Sequence, residues 1–253
     1  MKLAGRVAMI TGAGGGIGAA VALGFAREGA DVSLVDVSNS GVQETAREIR
    51  ALGRRPAAIQ ADISKEDDVA GAVAETLGAL GRVDVLVNNA AIAGPIGPLE
   101  QLSLAEWQKT LDVNLTGQFL CAKAVVPRMK AQGEGRILNV ASILGEKPTP
   151  FTGAYNVTKA GNISLTKTLA QELAQYGISV TCVMVTLTDT PMAREFHRQV
   201  AGYTGEAFED RWRQRGENAP LGRVAVPQDL VPRFLDLACA APGERNGEVI
   251  IAP

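Results

Sequence analysis

The sequence predicts an α/β protein: one domain with a doubly wound, mostly parallel seven-stranded sheet and helices on both faces. Short apolar runs alternate with longer amphipathic stretches along all 253 residues, which is typical of a parallel sheet covered on both sides. No linker rich in Pro, Ser and Gly divides the chain, so we expect a single domain over residues 1–253. A glycine-rich turn between the first predicted strand and helix is a third mark of this class.

The predicted elements follow one another in regular order. Apolar runs with strand character begin near residues 7, 32, 57, 83, 136, 179 and 248. The stretches between them predict helices over residues 19–28, 41–52, 67–80, 104–129, 155–176 and 227–239. Because crossover connections are right-handed, the carboxyl ends of the strands should meet at one edge of the sheet, where α/β folds bind their ligands.

The turn after the first strand reads TGAGGGIG over residues 11–18. Gly12, Gly16 and Gly18 would let the backbone turn tightly, approach a pyrophosphate and pack the helix start against the strand. The helix N-terminus adds free N–H groups and a partial positive charge. An ordinary glycine-rich loop is the alternative, but the place between strand and helix favours a dinucleotide site.

An acidic residue follows at the distance that such a site requires. Asp36 ends the second apolar run, about twenty positions after the glycine turn, where a carboxylate can accept hydrogen bonds from both ribose hydroxyls of an adenosine. The same carboxylate would repel a 2′-phosphate, and neither residues 13–17 nor Val37 and Ser38 offer a cation to neutralise one. The sequence therefore predicts NAD rather than NADP as cofactor.

A candidate acid/base group lies in the second half of the chain. Tyr155 and Lys159 are four residues apart on a predicted helix, so an ammonium would lie beside a phenol, and Ser142 precedes them by thirteen residues. A nearby positive charge favours the phenolate and should lower the tyrosine pKa from about 10. Such a pair alone occurs on many solvated helices, so its meaning depends on the glycine turn upstream.

With these motifs the chain resembles the short-chain dehydrogenase/reductase family of the classical type, over nearly its whole length. The matching segments are residues 11–18, 62–63, 88–91, 114, 139–142 and 155–159. The resemblance implies a Rossmann fold in which Tyr155 is the acid/base, Ser142 bonds the substrate oxygen, Lys159 binds the nicotinamide ribose and Asn114 holds a water of a proton relay. The implied cofactor-binding residues are Gly12, Gly14, Gly15, Gly16, Ile17, Gly18, Asp36, Val37, Asp62, Ile63, Asn89, Ala90, Tyr155, Lys159 and Thr190.

Residues 188–218 are the least regular part of the sequence and are expected to cover the substrate. Five arginines in this segment are interspersed with acidic residues, which indicates a solvated lid rather than an anion trap. His197, the only histidine, is interpreted as a surface residue. The residues expected to line the substrate site are mostly apolar: Leu144, Phe151, Leu187, Met192, Phe196 and Trp212. They predict an apolar secondary alcohol or ketone as substrate.

The sequence thus predicts an enzyme that transfers a hydride between NAD and a secondary alcohol or ketone. One alternative is a weakly active or silent NAD-binding regulatory protein, against which the complete set of catalytic residues argues. Another is a reductase of 3-oxoacyl thioesters on a carrier protein. In that subfamily, docking arginines would fall on Gly133 and Tyr176 of this chain, so both charges are missing.

Composition narrows the remaining possibilities. A net charge of −2 gives no sign of a nucleic-acid partner, and no apolar run reaches the ~18 residues of a membrane-spanning helix. We expect a cytoplasmic protein without a metal site, whose three cysteines are reduced core residues. The resemblance implies dimers or tetramers built through helices at residues 104–131 and 153–176.

Two departures from the family pattern stand out. Val185 and Thr186 occupy positions where the family carries Pro-Gly, and a displaced or mobile loop over residues 186–192 is the expected consequence. The chain also ends in Ile-Ile-Ala-Pro at residues 250–253 rather than in the Val-Asp-Gly-Gly segment that the family places near a subunit interface.

Overall fold

A computed structural model describes residues 1–252 as a seven-stranded sheet in the order β3-β2-β1-β4-β5-β6-β7. All neighbouring strands pair in parallel, as the alternating sequence pattern predicts. The strands are β1 (Val7–Thr11), β2 (Asp31–Asp36), β3 (Pro56–Gln60), β4 (Val85–Asn88), β5 (Gly135–Ser142), β6 (Ile178–Val185) and β7 (Val249–Ala252).

Helices connect the strands and cover both faces. They are α1 (Gly16–Arg27), α2 (Asn39–Ala51), α3 (Glu66–Leu80), α4 (Leu104–Leu111), α5 (Gly117–Gln132), α6 (Gly153–Leu173), α7 (Pro191–Thr204), α8 (Phe208–Glu217) and α9 (Pro227–Ala238). The helix predicted over residues 104–129 is divided, because a π-helical turn at Asp112–Thr116 separates α4 from α5. Such turns shift the register of a helix and often occur at functional sites.

The core explains why the strands are mostly apolar. Successive residues of β1 point to opposite faces: Ile10 packs with Phe25 and Phe234 in one cluster, and Met9 packs with Leu86 in the other. Both faces are therefore buried under helices, and a strand buried on both faces has no polar side.

The order of strands reverses between β1 and β4. In open α/β sheets, ligands bind in the crevice at this switch point, outside the carboxyl ends of the strands. The glycine turn follows β1 and Asn89 follows β4, so both lie at the crevice.

Three expectations need correction or completion here. Residues 188–218 are not irregular, since α7 and α8 occupy most of them. Cys239 is exposed rather than part of the core, whereas Cys121 and Cys182 are buried. The altered carboxyl end forms β7 through Ala252, and Pro253 lies outside the described residues. Within residues 1–252, the helices include none that combines the length and apolar character needed to cross a membrane.

Candidate active site

A cleft of about 740 Å³, including its open mouth, runs beside the glycine turn. A second, adjoining cleft of about 730 Å³ lies at the switch point itself. The second cleft is lined by Gly12, Gly15, Gly16, Ile17, Asp36, Asn89, Ala90, Ala91, Thr190, Pro191 and Met192. We call the first the substrate cleft and the second the cofactor cleft, after the roles that the sequence predicts for their residues.

Gly12 of the cofactor cleft and the nearby Gly18 are required by the close approach of neighbouring atoms. Gly12 has a φ of 67°, and a Cβ placed there would lie 2.7 Å from Nδ2 of Asn89. A Cβ at Gly18 would lie 2.1 Å from the carbonyl oxygen of Gly12. Among residues 1–252, no side chain caps the start of α1 at Gly15, which leaves its first N–H groups available to an anion. This arrangement fits the pyrophosphate of a dinucleotide.

Asp36 is held in place by the backbone around it. Its carboxylate accepts hydrogen bonds from the N–H groups of Gly14 and Ser38, each at 2.9 Å. These bonds leave further lone pairs on both oxygens, and they orient the carboxylate at the cleft wall. Ribose hydroxyls could therefore be bound without any rearrangement of the side chain.

Thr11 and Asn89 join the two strand ends that flank the cleft. The hydroxyl of Thr11 accepts hydrogen bonds from the backbone N–H groups of Asn89 and Ala90 at 3.0 and 3.1 Å. The amide of Asn89 donates in return to the carbonyls of Thr11 and Gly12. This exchange fixes the spacing of the turns after β1 and β4.

Seven residues assigned to the cofactor from the sequence do not line this cleft: Gly14, Gly18, Val37, Asp62, Ile63, Tyr155 and Lys159. Of these, Tyr155 lines the first cleft instead. Asp62 accepts hydrogen bonds from the backbone and hydroxyl of Ser64, which hold the pKa of its carboxyl below the usual value. Ile63 is buried, and its side chain fills the space beside Gly117 of α5.

The substrate cleft contains the hydroxyls of Ser142 and Tyr155, which the sequence predicts to be catalytic. Ser142 is the last residue of β5 and Tyr155 lies in the first turn of α6, and both line the cleft. Burial raises the pKa of Tyr155 to about 12, and a hydrogen bond with the side chain of Ser142 opposes that shift. The phenol therefore carries its proton at neutral pH in this structure.

Lys159 lies one helical turn further along α6 and is fully buried. Its Nζ donates to the backbone carbonyl of Val140 at 3.0 Å, and burial lowers its pKa to about 8. Nζ is 5.4 Å from the centre of the Tyr155 ring. The lowering of the Tyr155 pKa by Lys159, which the sequence predicts, is not seen, because burial of the phenol dominates.

Asn114 sits in the π-helical turn and is clamped by its neighbours. Its amide exchanges two hydrogen bonds with the backbone of Ile92, at 2.8 and 2.9 Å. The backbone carbonyl of Asn114 accepts a hydrogen bond from Nδ2 of Asn162 at 3.0 Å. Asn162 thus positions the π-helical turn, where Asn114 is expected to hold a relay water. The sequence analysis did not indicate this role for Asn162.

The substrate cleft is lined by four of the six side chains predicted for it: Leu144, Leu187, Met192 and Phe196. Phe151 instead stacks on Tyr203, with ring centres 5.4 Å apart, and Trp212 packs on His197 at 5.7 Å. The further lining residues are Ile17, Ile143, Thr149, Val185, Thr186, Thr188, Thr190, Ala193, His197 and Arg215.

His197 is not a surface residue: it is 9% exposed and faces the substrate cleft. Burial, with Arg211 and Arg215 nearby, lowers its pKa to about 4, so the imidazole is neutral at pH 7. The spacing of apolar residues on α7 could have shown this placement. Ala193 and Ala201 lie four residues before and after His197, which puts it on the buried face of the helix.

Segment 186–192, expected to be displaced or mobile, makes several hydrogen bonds to its neighbours. Thr188 forms a bridge with Ala225, and the N–H of Asp189 donates to the carbonyl of Ala225 at 2.7 Å. Thr190 caps α7 by accepting a hydrogen bond from the N–H of Ala193. Thr186 is not among the residues with positive φ, so the usual glycine is not needed for backbone geometry.

The sequence is similar to those of known dehydrogenases. The family model for short chain dehydrogenases matches residues 6–201. A (2S)-[(R)-hydroxy(phenyl)methyl]succinyl-CoA dehydrogenase subunit from Thauera aromatica is 38% identical over 253 residues, covering 99% of this chain and 96% of the relative. A cis-4-hydroxycyclohexanecarboxylate dehydrogenase from Sinomonas cyclohexanicum is 37% identical, covering 93% and 90%.

A solved structure adds a cofactor-bound example. The 3-ketoacyl-(acyl-carrier-protein) reductase from Brucella melitensis, complexed with NADH, is 34% identical and superposes with a TM-score of 0.87, covering 98% of this chain and 97% of the neighbour. The family model matches residues 6–201, and the relatives and the solved structure cover more than nine-tenths of the chain. This chain is a member of the short-chain dehydrogenase family.

Proposed function

We propose that the protein is an NAD-dependent oxidoreductase that interconverts a secondary alcohol and its ketone. One observation carries this proposal: the cleft that holds the hydroxyls of Ser142 and Tyr155 shares Ile17, Thr190 and Met192 with the cofactor cleft. A substrate oxygen at the two hydroxyls would therefore lie beside a nicotinamide at the shared wall.

The chain's own residues supply the proton chemistry, while NAD supplies the hydride acceptor when bound. In ketone reduction, Tyr155 donates its proton to the substrate oxygen as charge develops there, and Ser142 adds a second hydrogen bond. One of the three N–H groups of Lys159 donates to the carbonyl of Val140. The other two could donate to a ribose hydroxyl and towards the hydroxyl of Tyr155. In alcohol oxidation the same groups act in reverse.

NAD is favoured over NADP by the charge of Asp36. The carboxylate already lies at the cleft wall, anchored by Gly14 and Ser38. A 2′-phosphate would place two more negative charges beside it. The NADH complex of the Brucella melitensis relative agrees with this preference.

The relatives support a ring-bearing secondary alcohol, since one is named for a hydroxycyclohexane acid. Reduction of 3-oxoacyl thioesters is the second candidate, favoured by the similar reductase structure. Gly133 and Tyr176 offer no docking arginine, but Nζ of Lys130 lies 4.0 Å from the centre of the Tyr176 ring and places a cation at that surface.

We further propose a dimer or tetramer that works in the cytoplasm. Phe119 on α5 and Val157 on α6 are each 45% exposed, and these are the helices through which assembly is expected. Cys121, Cys182 and Cys239 are all free, which suits a reducing compartment.

A direct test is a screen of cyclic and linear secondary alcohols with NAD, and of the matching ketones with NADH, read at the nicotinamide absorbance. Acetoacetyl-CoA with either reduced cofactor tests the second candidate. Turnover of at least one simple alcohol or ketone supports the proposal. Activity confined to the thioester would replace it with the second candidate.

A further inference from the structure

Four of the five arginines in residues 188–218 have a carboxylate oxygen within 4 Å. The pairs join Arg194 to Asp189, Arg198 to Glu195, Arg211 to Glu206 and Arg213 to Asp210. Across residues 1–252, the structure gives Arg215 no such partner. The segment is therefore not uniformly neutralised, contrary to the interpretation of a solvated lid.

Arg215 is also placed differently from the paired arginines. It is partly buried, and it lines the substrate cleft together with Ser142 and Tyr155. The described lining contains no Asp, Glu or Lys, so Arg215 is its only permanently charged side chain. A cation that is partly desolvated and has no charged partner is unfavourable, and an anionic ligand that pairs with it would remove this cost.

His197 provides a second donor at the same wall. Nε of Arg211 donates to Nδ1 of His197 at 3.3 Å, so the ring proton of the neutral imidazole is on Nε2. Within residues 1–252, Nε2 has no protein partner. The cleft thus presents a guanidinium and an imidazole N–H, both donors, in an otherwise mainly apolar lining.

We propose that the substrate is a hydroxy acid or keto acid whose carboxylate binds Arg215, with His197 as an additional donor. This inference rests on the proposed function and specifies its substrate class. The planar guanidinium matches the two oxygens of a carboxylate, which fixes the orientation of the substrate as well as its charge. The apolar side chains Leu144, Leu187 and Phe196 would contact the carbon frame between the carboxylate and the reacting oxygen.

The anion is a carboxylate of the small substrate rather than a phosphate of a thioester's carrier group. A carbon frame that reaches from the Ser142 and Tyr155 hydroxyls to Arg215 stays inside one cleft, which is of the size usual for small ligands. Thioester substrates are kept as one arm of the experiment.

Binding can be measured without turnover. The NADH-loaded protein is titrated calorimetrically with cyclohexanecarboxylate and, separately, with cyclohexanecarboxamide, which has the same shape without the charge. We expect the carboxylate to bind about ten- to hundredfold more tightly than the amide. In Arg215→Gln this preference should fall at least about tenfold, and Arg215→Lys should restore part of it.

Arg213→Gln is the matched control, because Arg213 lies on the same helix, is exposed and pairs with Asp210. It should keep the preference of the unaltered protein. A parallel kinetic arm compares 4-oxocyclohexanecarboxylate with its amide and with acetoacetyl-CoA, using NADH. There the ratio of kcat/KM for acid over amide should fall in Arg215→Gln, mainly through KM.

The outcomes separate the two proposals. Equal binding of acid and amide, no binding of either, or a preference unchanged in Arg215→Gln overturns the carboxylate site. A thioester preferred over both small ketones overturns it as well. A carboxylate preference that depends on Arg215, without turnover of any alcohol or ketone, keeps the site and removes the proposed function.

Discussion

Nζ of Lys159 donates a hydrogen bond to the backbone carbonyl of Val140 at 3.0 Å, deep beneath the glycine-lined edge of the sheet. The same carbonyl accepts a hydrogen bond from Nε2 of Gln118 at 3.0 Å. Within residues 1–252, the buried ammonium of Lys159 therefore has one neutral carbonyl as its hydrogen-bond acceptor. Burying such a charge without a charged partner destabilises the folded protein. The free energy of unfolding should therefore depend on pH.

The first prediction concerns this pH dependence. The folded-state pKa of Lys159, about 8, is below the value of 10.5 for a free lysine, so the unfolded chain binds more protons between these values. The stability of the folded protein should therefore rise with pH through this window and be lowest below pH 8. Between pH 7 and 9 the free energy of unfolding should rise by on the order of 1 kcal/mol relative to Lys159→Met.

Urea unfolding of both proteins without cofactor measures this difference. The comparison cancels the titrations of Tyr155 and Cys121, which both proteins share. Burial raises the pKa of Cys182 to about 11, so this thiol stays protonated between pH 7 and 9 in both folded proteins. Lys167→Met, an exposed lysine on the same helix, is the control and should follow the unaltered protein. Parallel pH curves for the unaltered protein and Lys159→Met would show that the buried lysine keeps an ordinary pKa.

The second prediction is that Tyr155→Phe retains the fold and NAD binding but loses turnover by at least about 10²-fold. The ring would still pack on Phe196, whose centre is 5.5 Å away, so only the proton donor is removed. Steady-state rates and NAD titration measure the two effects. Tyr176→Phe, outside both clefts, should stay active. Substantial turnover by Tyr155→Phe would refute the assigned acid/base role.

The sequence predicted the sheet and the glycine turn after β1, for a physical reason. Apolar strands buried on both faces and glycines forced by close backbone contacts are local signals. Gly12, for example, has a left-handed φ, and a Cβ placed there would lie 2.9 Å from Cα of Ala90. The strand starts predicted from apolar runs lie within about two residues of those in the structure, which is the accuracy expected at element boundaries.

The substrate cleft was harder to predict because its lining depends on how α7 and α8 pack. Arg211 and Arg215 are one helical turn apart, yet only the fold shows that Glu206 pairs with the first and leaves the second unpaired. In the sequence, the arginines of residues 188–218 alternate with acidic residues, and this pattern indicated a solvated segment. The π-helical turn at Asn114 likewise arises from tertiary contacts with Ile92 and Asn162, which no helical periodicity reveals.

The third prediction concerns cofactor choice. NADH should be used with a kcat/KM about 10- to 10³-fold above that for NADPH, and Asp36→Ala should narrow this gap. The variant removes both the ribose acceptor and the charge that repels a 2′-phosphate. Asp67→Ala, an exposed acid in the first turn of α3, should leave the ratio unchanged. Equal use of NADH and NADPH by the unaltered protein would contradict the role of Asp36.

The fourth prediction uses the fact that His197 is the only histidine. Its pKa in the folded protein, about 4, is below the free value of 6.5, so the stability it contributes is lost as pH falls from 6.5 towards 4. The imidazole resonances in an NMR titration should stay unchanged from pH 8 to about pH 5. Arg215→Gln should move the midpoint upward, since Arg215 helps to lower that pKa. A midpoint near 6.5 in the unaltered protein would place the ring in solvent.

The last prediction concerns Thr186, where the family carries glycine. Its buried hydroxyl has no hydrogen-bond partner within residues 1–252, whereas Thr188 donates to the carbonyl of Thr186 at 3.2 Å. Replacing an unpaired buried hydroxyl by a methyl of the same shape should stabilise the protein, so Thr186→Val should raise the free energy of unfolding by about 1 kcal/mol. Thr188→Val removes a bond that is made and should lower it by a similar amount. NAD affinity should be unchanged in Thr186→Val. A loss of stability or of NAD affinity in that variant would instead show that the hydroxyl is used, by the protein or by the nicotinamide end of the cofactor.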